Sequence, residues 1–313
     1  MTLERADETT RSSRMLVATD FSEASARARD YAIALAAPGD EMVILHVHPL
    51  PLPDWPDPPY VPEWMPSGPS VRGAHVERLR EFAEPARAAG LKVKTALEEG
   101  LAADVILGRA ASLPPDLIVL GTGRRGGFGG WMMGSTAERV VRRARVPVLT
   151  VPAEASHPTR GIRGILCAVD FAGEGTLDAA RRLARRCGST LTVLHVVDAP
   201  IAGAPNERRR RAAERRLAAT LAEGRPGPAD GALLRVGRAG REIVAAARER
   251  AVDVIVVGLR DPGRWAPELT HVGSTAARVL REAPCAVLTV SDAAVHLAIE
   301  PRGAASALHL PAR

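Results

Sequence analysis

The stretch DLIVLGTGRRGGFGGWMMGST, residues 116–136, contains the features that decide the fold. An apolar run is followed by a glycine-rich loop with two arginines, and Gly-Ser-Thr then opens the helical pattern TAERVVRRA. Glycine lets a backbone approach a ligand closely and expose its amides, and a helix N-terminus attracts anions. The stretch therefore predicts a strand, a phosphate-binding loop and a helix for which Ser135 and Thr136 supply N-cap chemistry.

Apolar runs alternate with amphipathic helical patterns throughout the first half of the chain. Residues 15–19 (MLVAT) predict a strand, residues 22–37 a helix and residues 41–47 (EMVILHV) a second strand. Further helices are expected near residues 72–89, 103–111 and after Gly134, and further strands near residues 91–98, 116–120 and 147–151. Continuous apolar strands linked by helices are typical of a parallel sheet covered on both faces. We therefore predict a doubly wound α/β domain, which binds ligands at the carboxyl edge of its sheet.

The second half of the chain repeats the first. The matching segments are ILCAVDF at 165–171 with MLVATDF at 15–21, TVLHV at 192–196 with VILHV at 43–47, VIVVG at 254–258 with LIVLG at 117–121, VGST at 272–275 with MGST at 133–136, and VLTV at 287–290 with VLTV at 148–151. Such ordered matches indicate two diverged copies of one domain. We predict a first domain at residues 1–152, a linker at 153–164, a second domain at 165–290 and a tail at 291–313.

A proline-rich insertion, residues 49–73, interrupts the first domain directly after its second strand. Its proline density argues against a regular helix or a central strand. Two interpretations stay open at this point. The insertion is either an extended surface loop or a lid or partner-binding arm at the carboxyl edge of the sheet.

The composition argues against several classes of protein. The three cysteines show no CxxC or Cys-His spacing, so neither a disulfide framework nor a zinc site is expected. The N-terminus is polar, and no run of about 18 apolar residues exists. We therefore expect a soluble cytoplasmic protein that does not enter a membrane.

The basic character of the chain has two interpretations. The net charge of +6 and the pI near 10.0 permit contact with nucleic acid, but the arginines are spread beside Glu and Asp. The densest run, NERRRRAAERR at residues 206–216, lacks interleaved aromatic side chains. A solvated helix face is the favoured interpretation, and a patch for an acidic partner or nucleic acid is the alternative.

The motifs together resemble the universal stress protein family, here as a tandem of two domains over nearly the whole chain. ATDFSEAS follows the first strand, LHV ends the second strand, and GST follows the fourth. The resemblance implies an open five-stranded parallel, Rossmann-like sheet flanked by helices in each domain. It also implies, for one branch of the family, ATP binding through a G-x2-G-x9-G-[S/T] signature. Gly121, Gly134 and Ser135 match this signature, whereas Arg124 stands at the middle glycine and Gly123 lies one residue earlier.

The resemblance implies ATP as the ligand, with Mg²⁺ held by the phosphates and a hydroxyl such as that of Ser135. The Asp20 carboxylate is an acceptor for the adenine amino group or a ribose hydroxyl, and the Val47 backbone could contact the adenine edge. A helix N-cap is the alternative role for Asp20, while His46 and His195 are expected in the core. The first-domain binding set is Thr19, Asp20, Val47, Gly121, Gly123, Arg124, Arg125, Gly127, Gly130, Gly134, Ser135 and Thr136.

The second domain is expected to bind nucleotide more weakly. Its loop between Gly258 and Gly273 is two residues longer, contains two prolines and places Asp261 at the middle glycine. Prolines remove amide donors that a phosphate needs. The corresponding set is Asp170, Val196, Gly258, Gly273, Ser274 and Thr275.

The leading hypothesis is an ATP-binding universal stress protein that acts as a nucleotide-responsive regulator or survival factor. No GxxxxGK[ST] loop occurs, so we expect no enzyme, although slow hydrolysis of ATP stays open. The alternative is an interaction module that binds no nucleotide and meets an unknown protein partner through the proline-rich arm and the basic helix. The fifth strands, residues 148–151 and 287–290, are expected to meet either within the chain or across a homodimer.

Overall fold

The computed structural model describes residues 12–48, 69–123, 134–171, 175–198, 207–222, 230–259 and 274–291. The strands are β1 (Arg14–Thr19), β2 (Glu41–His48), β3 (Lys92–Glu99), β4 (Leu117–Thr122), β5 (Val148–Pro152), β6 (Gly164–Val169), β7 (Thr190–Asp198), β8 (Asp230–Gly237), β9 (Val254–Leu259) and β10 (Ala286–Ser291). The helices are α1 (Glu23–Leu35), α2 (Pro69–Ala88), α3 (Ala102–Ser112), α4 (Ser135–Arg143), α5 (Gly175–Cys187), α6 (Glu207–Ala222), α7 (Ala239–Glu249) and α8 (Ser274–Glu282).

All ten strands form one sheet in the order β3-β2-β1-β4-β5-β10-β9-β6-β7-β8. Each half of the sheet is a parallel five-stranded unit, which confirms the predicted doubly wound α/β class. The two halves meet where β5 pairs antiparallel with β10, with Leu149 opposite Leu288. The fifth strands therefore meet within the chain, which is the first of the two arrangements expected for them.

Alternation of side chains along the strands builds a core on each face of the sheet. On β1, Met15 and Val17 pack with α1 and α2, whereas Leu16 packs on the opposite face with α3 and α4. Neighbouring side chains of a strand point to opposite faces, so a fully apolar strand requires cover on both. The first core continues into α5 and α6, and the second into α7 and α8, so each core spans both halves.

A buried ion pair joins the two halves beside the sheet. The Arg186 guanidinium, on α5, contacts the Asp40 carboxylate, which lies before β2, and both side chains are at least 96% buried. Arg186 also donates from Nε to the Leu35 carbonyl at 2.6 Å. Asp40 accepts the amides of Ser13 at 2.9 Å and Ala37 at 2.8 Å. Because the pair is buried, its removal from one side only is expected to be costly.

The sequence placed the end of the proline-rich insertion too late. α2 begins at Pro69, so residues 69–71 precede the predicted start of the helix near residue 72, and the expectation that they are not helical is wrong. Proline is tolerated in the first helical turn because its missing amide would have no partner there. Residues 49–68, the rest of the insertion, lie outside the described part of the chain, as do residues 292–313 of the predicted tail.

The basic run forms α6, an exposed helix with ion pairs along its surface. Arg210 pairs with Glu214 and Arg211 with Glu207, each at 3.1 Å across one helical turn. Leu217 is buried against the sheet. These contacts support the interpretation as a solvated helix face.

Candidate functional site

The strand order places a crevice at the carboxyl end of β1. β2 lies on one side of β1 and β4 on the other, so the connections from β1 and β4 leave the sheet in opposite directions. The last paired residues of β1 and β4 are Ala18 and Leu120. Beyond them the turn that begins at Asp20 and Gly123, the last described residue after β4, flank the opening. Ligands of doubly wound proteins bind at such a switch point.

The turn between β1 and α1 is held by its own side chains. One carboxylate oxygen of Asp20 accepts both the amide of Ser22, at 3.0 Å, and the Ser22 hydroxyl. Ser22, not Asp20, is the N-cap of α1, because its oxygen accepts the Ser25 amide at 3.2 Å. The N-cap role considered for Asp20 is therefore wrong. Asp20 is exposed and fixes the capping residue instead.

These hydrogen bonds also control the charge of Asp20. Burial alone would raise the pKa of its carboxyl, but hydrogen bonds from the hydroxyl and amide of Ser22, and from Ser25, outweigh burial and hold the pKa below its usual value. Asp20 is thus ionised at neutral pH and can accept hydrogen bonds at the mouth of the crevice.

A chain of hydroxyl groups supports the turn from below. The Phe21 amide donates to the Thr19 hydroxyl oxygen at 2.9 Å, and Ser25 donates to the Ser22 carbonyl at 2.9 Å. The Thr19 and Ser25 hydroxyl oxygens lie 2.9 Å apart, and either group can be the donor. Phe21 has a φ of 62°, which is uncommon for a bulky residue and must be held by its surroundings.

His46 is part of that support. Its ring lies 4.3 Å from the Phe21 ring, centroid to centroid, and its Nδ1 donates to the Thr19 carbonyl at 2.8 Å. The Arg78 guanidinium lies over the Phe21 ring at 4.6 Å. His46 is 8% exposed, in agreement with the prediction of a core histidine. Val47, the next residue, lies one position beyond the last pair of β1 with β2.

Gly121 has a packing role that the sequence did not indicate. A Cβ at this position would lie 2.4 Å from the Ala24 carbonyl carbon and 2.4 Å from the Ser25 amide nitrogen. The glycine therefore allows α1 to approach β4 closely. This contact explains Gly121 without a ligand.

Gly123 and Gly134 are different, because a Cβ at either position would meet no atom of the described residues within 4 Å. Gly134 is the N-cap of α4 and its carbonyl accepts the Glu138 amide at 3.0 Å. Ser135 and Thr136 are therefore the first two helical residues, and the assignment of N-cap chemistry to them is wrong by one position. Their amides belong to the first turn of the helix, where amides lack intrahelical partners and attract anions. Arg124, Arg125, Gly127 and Gly130 lie outside the described residues.

The second half reproduces part of this geometry. Asp170 is exposed, and Phe171 has a φ of 60°. The Phe171 ring lies 4.3 Å from His195, and the Arg216 guanidinium lies 4.8 Å from its centroid. Two copies of a strained phenylalanine after an aspartate show that the turn is built into the domain.

The hydroxyl groups of the first half are absent from the second. Val169, Ala172 and Gly175 stand where the first half has Thr19, Ser22 and Ser25. A Cβ at Gly258 would meet the Thr176 hydroxyl at 2.6 Å, so this glycine also has a packing role. Val196 is partly buried, Ser274 and Thr275 begin α8, and Gly273 lies outside the described residues. Sequence reasoning missed Ser22 and Ser25, although Thr19, Ser22 and Ser25 follow one another at intervals of three and are replaced in the second copy.

The two crevices lie at opposite edges of the sheet. β5 and β10 are antiparallel, whereas the strands within each half are parallel. The carboxyl ends of β1–β5 therefore point one way and those of β6–β10 the other. The two candidate sites share the sheet but not an edge.

The described residues contain no group of three or more His, Cys, Asp or Glu side chains arranged to hold a metal ion. In the same part of the chain, no helix combines the length and the apolar character needed to span a bilayer.

The strand order and the paired switch points define a tandem doubly wound α/β protein. The chain belongs to the universal stress protein family, because its sequence matches that family over residues 12–152 and again over residues 161–291. Neither the description of the family nor the name of the relative below mentions a catalytic activity.

Universal stress protein MJ0531 from Methanocaldococcus jannaschii is 39% identical over 75 residues, which are 24% of this chain and 44% of that protein. The chain thus spans less than half of the length of this relative. A universal stress protein from Archaeoglobus fulgidus has a similar fold, with a TM-score of 0.67 and 22% identity over 89% of this chain and 98% of that one. A structure from Pseudomonas aeruginosa UCBPP-PA14 has a TM-score of 0.59 and 17% identity over 92% and 97%. A universal stress protein solved in complex with cAMP has a TM-score of only 0.34, too low to assign a ligand here.

Proposed function

We propose that the protein binds ATP in its first domain and acts in the cytoplasm as a nucleotide-responsive regulator in the stress response. The observation that carries the proposal is the pair of groups that flank the first switch point. On one side is the exposed, ionised Asp20, and on the other is the open N-terminus of α4 beside Gly134.

The chemistry of these groups suits the two ends of an adenine nucleotide. A carboxylate accepts hydrogen bonds from an amino group or a ribose hydroxyl, while the amides at a helix N-terminus donate hydrogen bonds to phosphate oxygens. Gly123 and Gly134 leave space where a side chain would obstruct a phosphate. The hydroxyls of Ser135 and Thr136 are available to the phosphates and to a Mg²⁺ ion that the phosphates bring. The protein binds and orients the nucleotide. Binding then shifts the chain toward the conformation whose surface contacts a partner or a second copy of the chain.

The second domain is the weaker site in this proposal. Its turn lacks the hydroxyl groups at positions 169, 172 and 175, and its Phe171 turn has no counterpart to the Thr19 acceptor. We expect one strong nucleotide site per chain.

Titration calorimetry with ATP, GTP and AMP tests the proposal. We expect ATP to bind the full chain with a stoichiometry near one. The variant Gly134→Val should abolish binding, because its side chain enters open space that the proposal assigns to phosphate. The matched control is Gly108→Val on α3, where a Cβ also meets no atom within 4 Å. Unchanged affinity in folded Gly134→Val, or no binding to the folded wild type, would contradict the proposal.

The second candidate function is an interaction module that binds no nucleotide. The observation that favours it is Gly121, whose contact with the backbone of α1 explains one signature glycine by packing alone. Absence of heat with all three nucleotides, in a chain that remains folded, would favour this candidate.

A further inference from the structure

A group of three histidines, His46, His48 and His75, lies beside the first switch point. His46 and His48 are on β2, two residues apart, so both lie on the same face of the sheet. His75 is on α2, and its ring centroid lies 4.9 Å from that of His46 and 5.0 Å from that of His48. The His75 ring therefore joins the helix to both histidines of the strand.

The charged groups around the histidines come from four elements. Asp20, after β1, lies near His46 and favours its protonated form. On α2, Arg78 opposes a charge on His75, and Arg72 pairs with Glu99 at 3.1 Å. On β3, Glu99 is the register partner of His48.

Glu98 on β3 pairs with Arg109 on α3 at 3.2 Å. Both glutamates of β3 at this level are thus already engaged with arginines.

The fold favours the neutral forms of His46 and His75. Burial lowers the pKa of His46, the bond to the Thr19 carbonyl opposes this in part, and His75 and His48 lower it further. Burial also lowers the pKa of His75, as do His48 and Arg78. Each proton that enters must be placed beside other imidazoles.

The second domain has the equivalent contact between His195 and Phe171, but it has no histidines in the places of His48 and His75. Arg216 on α6 corresponds to Arg78 on α2, because each guanidinium lies over the phenylalanine of its own domain. Leu217 and Leu79, the next residues, are both buried in the core. Three residues before these arginines, the first domain has His75 and the second has Ala213. Val197 likewise stands where the first domain has His48. The chain thus contains its own control for the histidine group.

We propose that the three histidines form a proton-sensitive latch: they dock the first turns of α2 on β2 when neutral, and protonation releases that part of the helix. The linkage has a definite sign. A histidine whose pKa is lowered in the folded state stabilises that state fully at a pH above its ordinary pKa of about 6.5. This contribution falls as the pH drops below that value. Acidification therefore loosens residues 72–79 of α2 and leaves α6 in place.

Hydrogen exchange of the full chain without nucleotide tests the latch independently of the proposed function. Protection factors, corrected for the intrinsic pH dependence of exchange, are compared at about pH 7.5 and about pH 5.5, on either side of the ordinary histidine value. We expect protection in residues 72–79 to fall at the lower pH while protection in α6 stays constant. NMR titration of the imidazoles gives the pKa shifts directly. At about pH 5.5, one unit below the ordinary value, protection should fall by at most about tenfold for each histidine whose pKa is depressed.

The variant His48→Val with His75→Ala copies the second domain into the first, and we expect it to reduce the pH dependence, because only His46 of the three histidines remains. His48→Gln with His75→Gln, which keeps polar side chains without a titrating charge, should do the same if the first variant is poorly folded. Equal loss of protection in α2 and α6, or pH-independent protection of α2 in the wild type, would overturn the proposal. The proposal would also be overturned if both double variants folded and kept the full pH dependence of the wild type.

Discussion

Replacement of Gly121 by alanine is the most direct test of how the first switch point is built. The added Cβ would lie 2.4 Å from two backbone atoms of α1 and 2.6 Å from the Ala24 carbonyl oxygen. Ordinary contacts of this kind are about 3.4 Å or longer, so α1 and β4 must separate by about 1 Å. Backbone cannot rotate away as a side chain can, and overpacking of this kind costs about 1–3 kcal/mol. We expect the free energy of unfolding to fall by an amount near the upper end of that range. Roughly 0.5–1 kcal/mol of this loss is offset, because alanine costs less conformational entropy than glycine in a strand.

Gly258→Ala is the matched control, because the equivalent Cβ would meet the Thr176 hydroxyl, which can rotate, and not the backbone. Thermal and urea unfolding of both variants in parallel should show Gly121→Ala as clearly the less stable. Since the Ser25 amide is one of the atoms that must move, the capping of α1 by Ser22 should weaken too. Equal stability of the two variants, or a Gly121→Ala protein as stable as wild type, would refute the packing role assigned to Gly121.

Two further predictions concern the buried ion pair and the three cysteines. Arg186→Met should lower the free energy of unfolding by about 3–5 kcal/mol, since it leaves Asp40 buried without its cation. Denaturation of Arg186→Met, Asp40→Asn and the double variant should give a positive coupling energy, and additive losses would contradict the pair. Burial raises the pKa of the Cys167 and Cys285 thiols to about 12. Cys187, which is only partly buried, should therefore react first with a thiol reagent at pH 8, as mass mapping of the labelled native protein would show. Rapid labelling of Cys167 would contradict the described core.

The alternation of strands and helices could be predicted because each strand is a continuous apolar run between turn residues. Both faces of β1 and β2 are covered, so their sequences are apolar throughout and lack the alternation of apolar and polar residues that marks a half-exposed strand. The duplication was visible for the same reason, since the matching segments are the buried strands. The joint between the halves was foreseen only as one of two arrangements. Pairing of β5 with β10 depends on contacts between segments 137 or more residues apart.

The details of the site were harder to predict. Gly121 was assigned to a ligand from its place in the glycine-rich stretch, and the structure adds a packing role, because α1 approaches β4 closely there. The contact of Arg186 with Asp40 joins residues 146 positions apart, and neither belongs to a motif. The shift of the N-cap from Ser135 to Gly134 is of the kind that sequence alone rarely resolves, since helix ends vary by a residue or two.

The antiparallel joint between β5 and β10 has a consequence for how the two halves can change. In an assembly of identical subunits, every substitution appears in both copies, so a loss at one site is a loss at all. Here the halves are parts of one chain, and a substitution alters one of them alone. The second half contributes β10 to the joint and has Val169, Ala172 and Gly175 in place of the first half's hydroxyl residues. Fusion thus lets one half remain a structural partner while the other retains the polar turn.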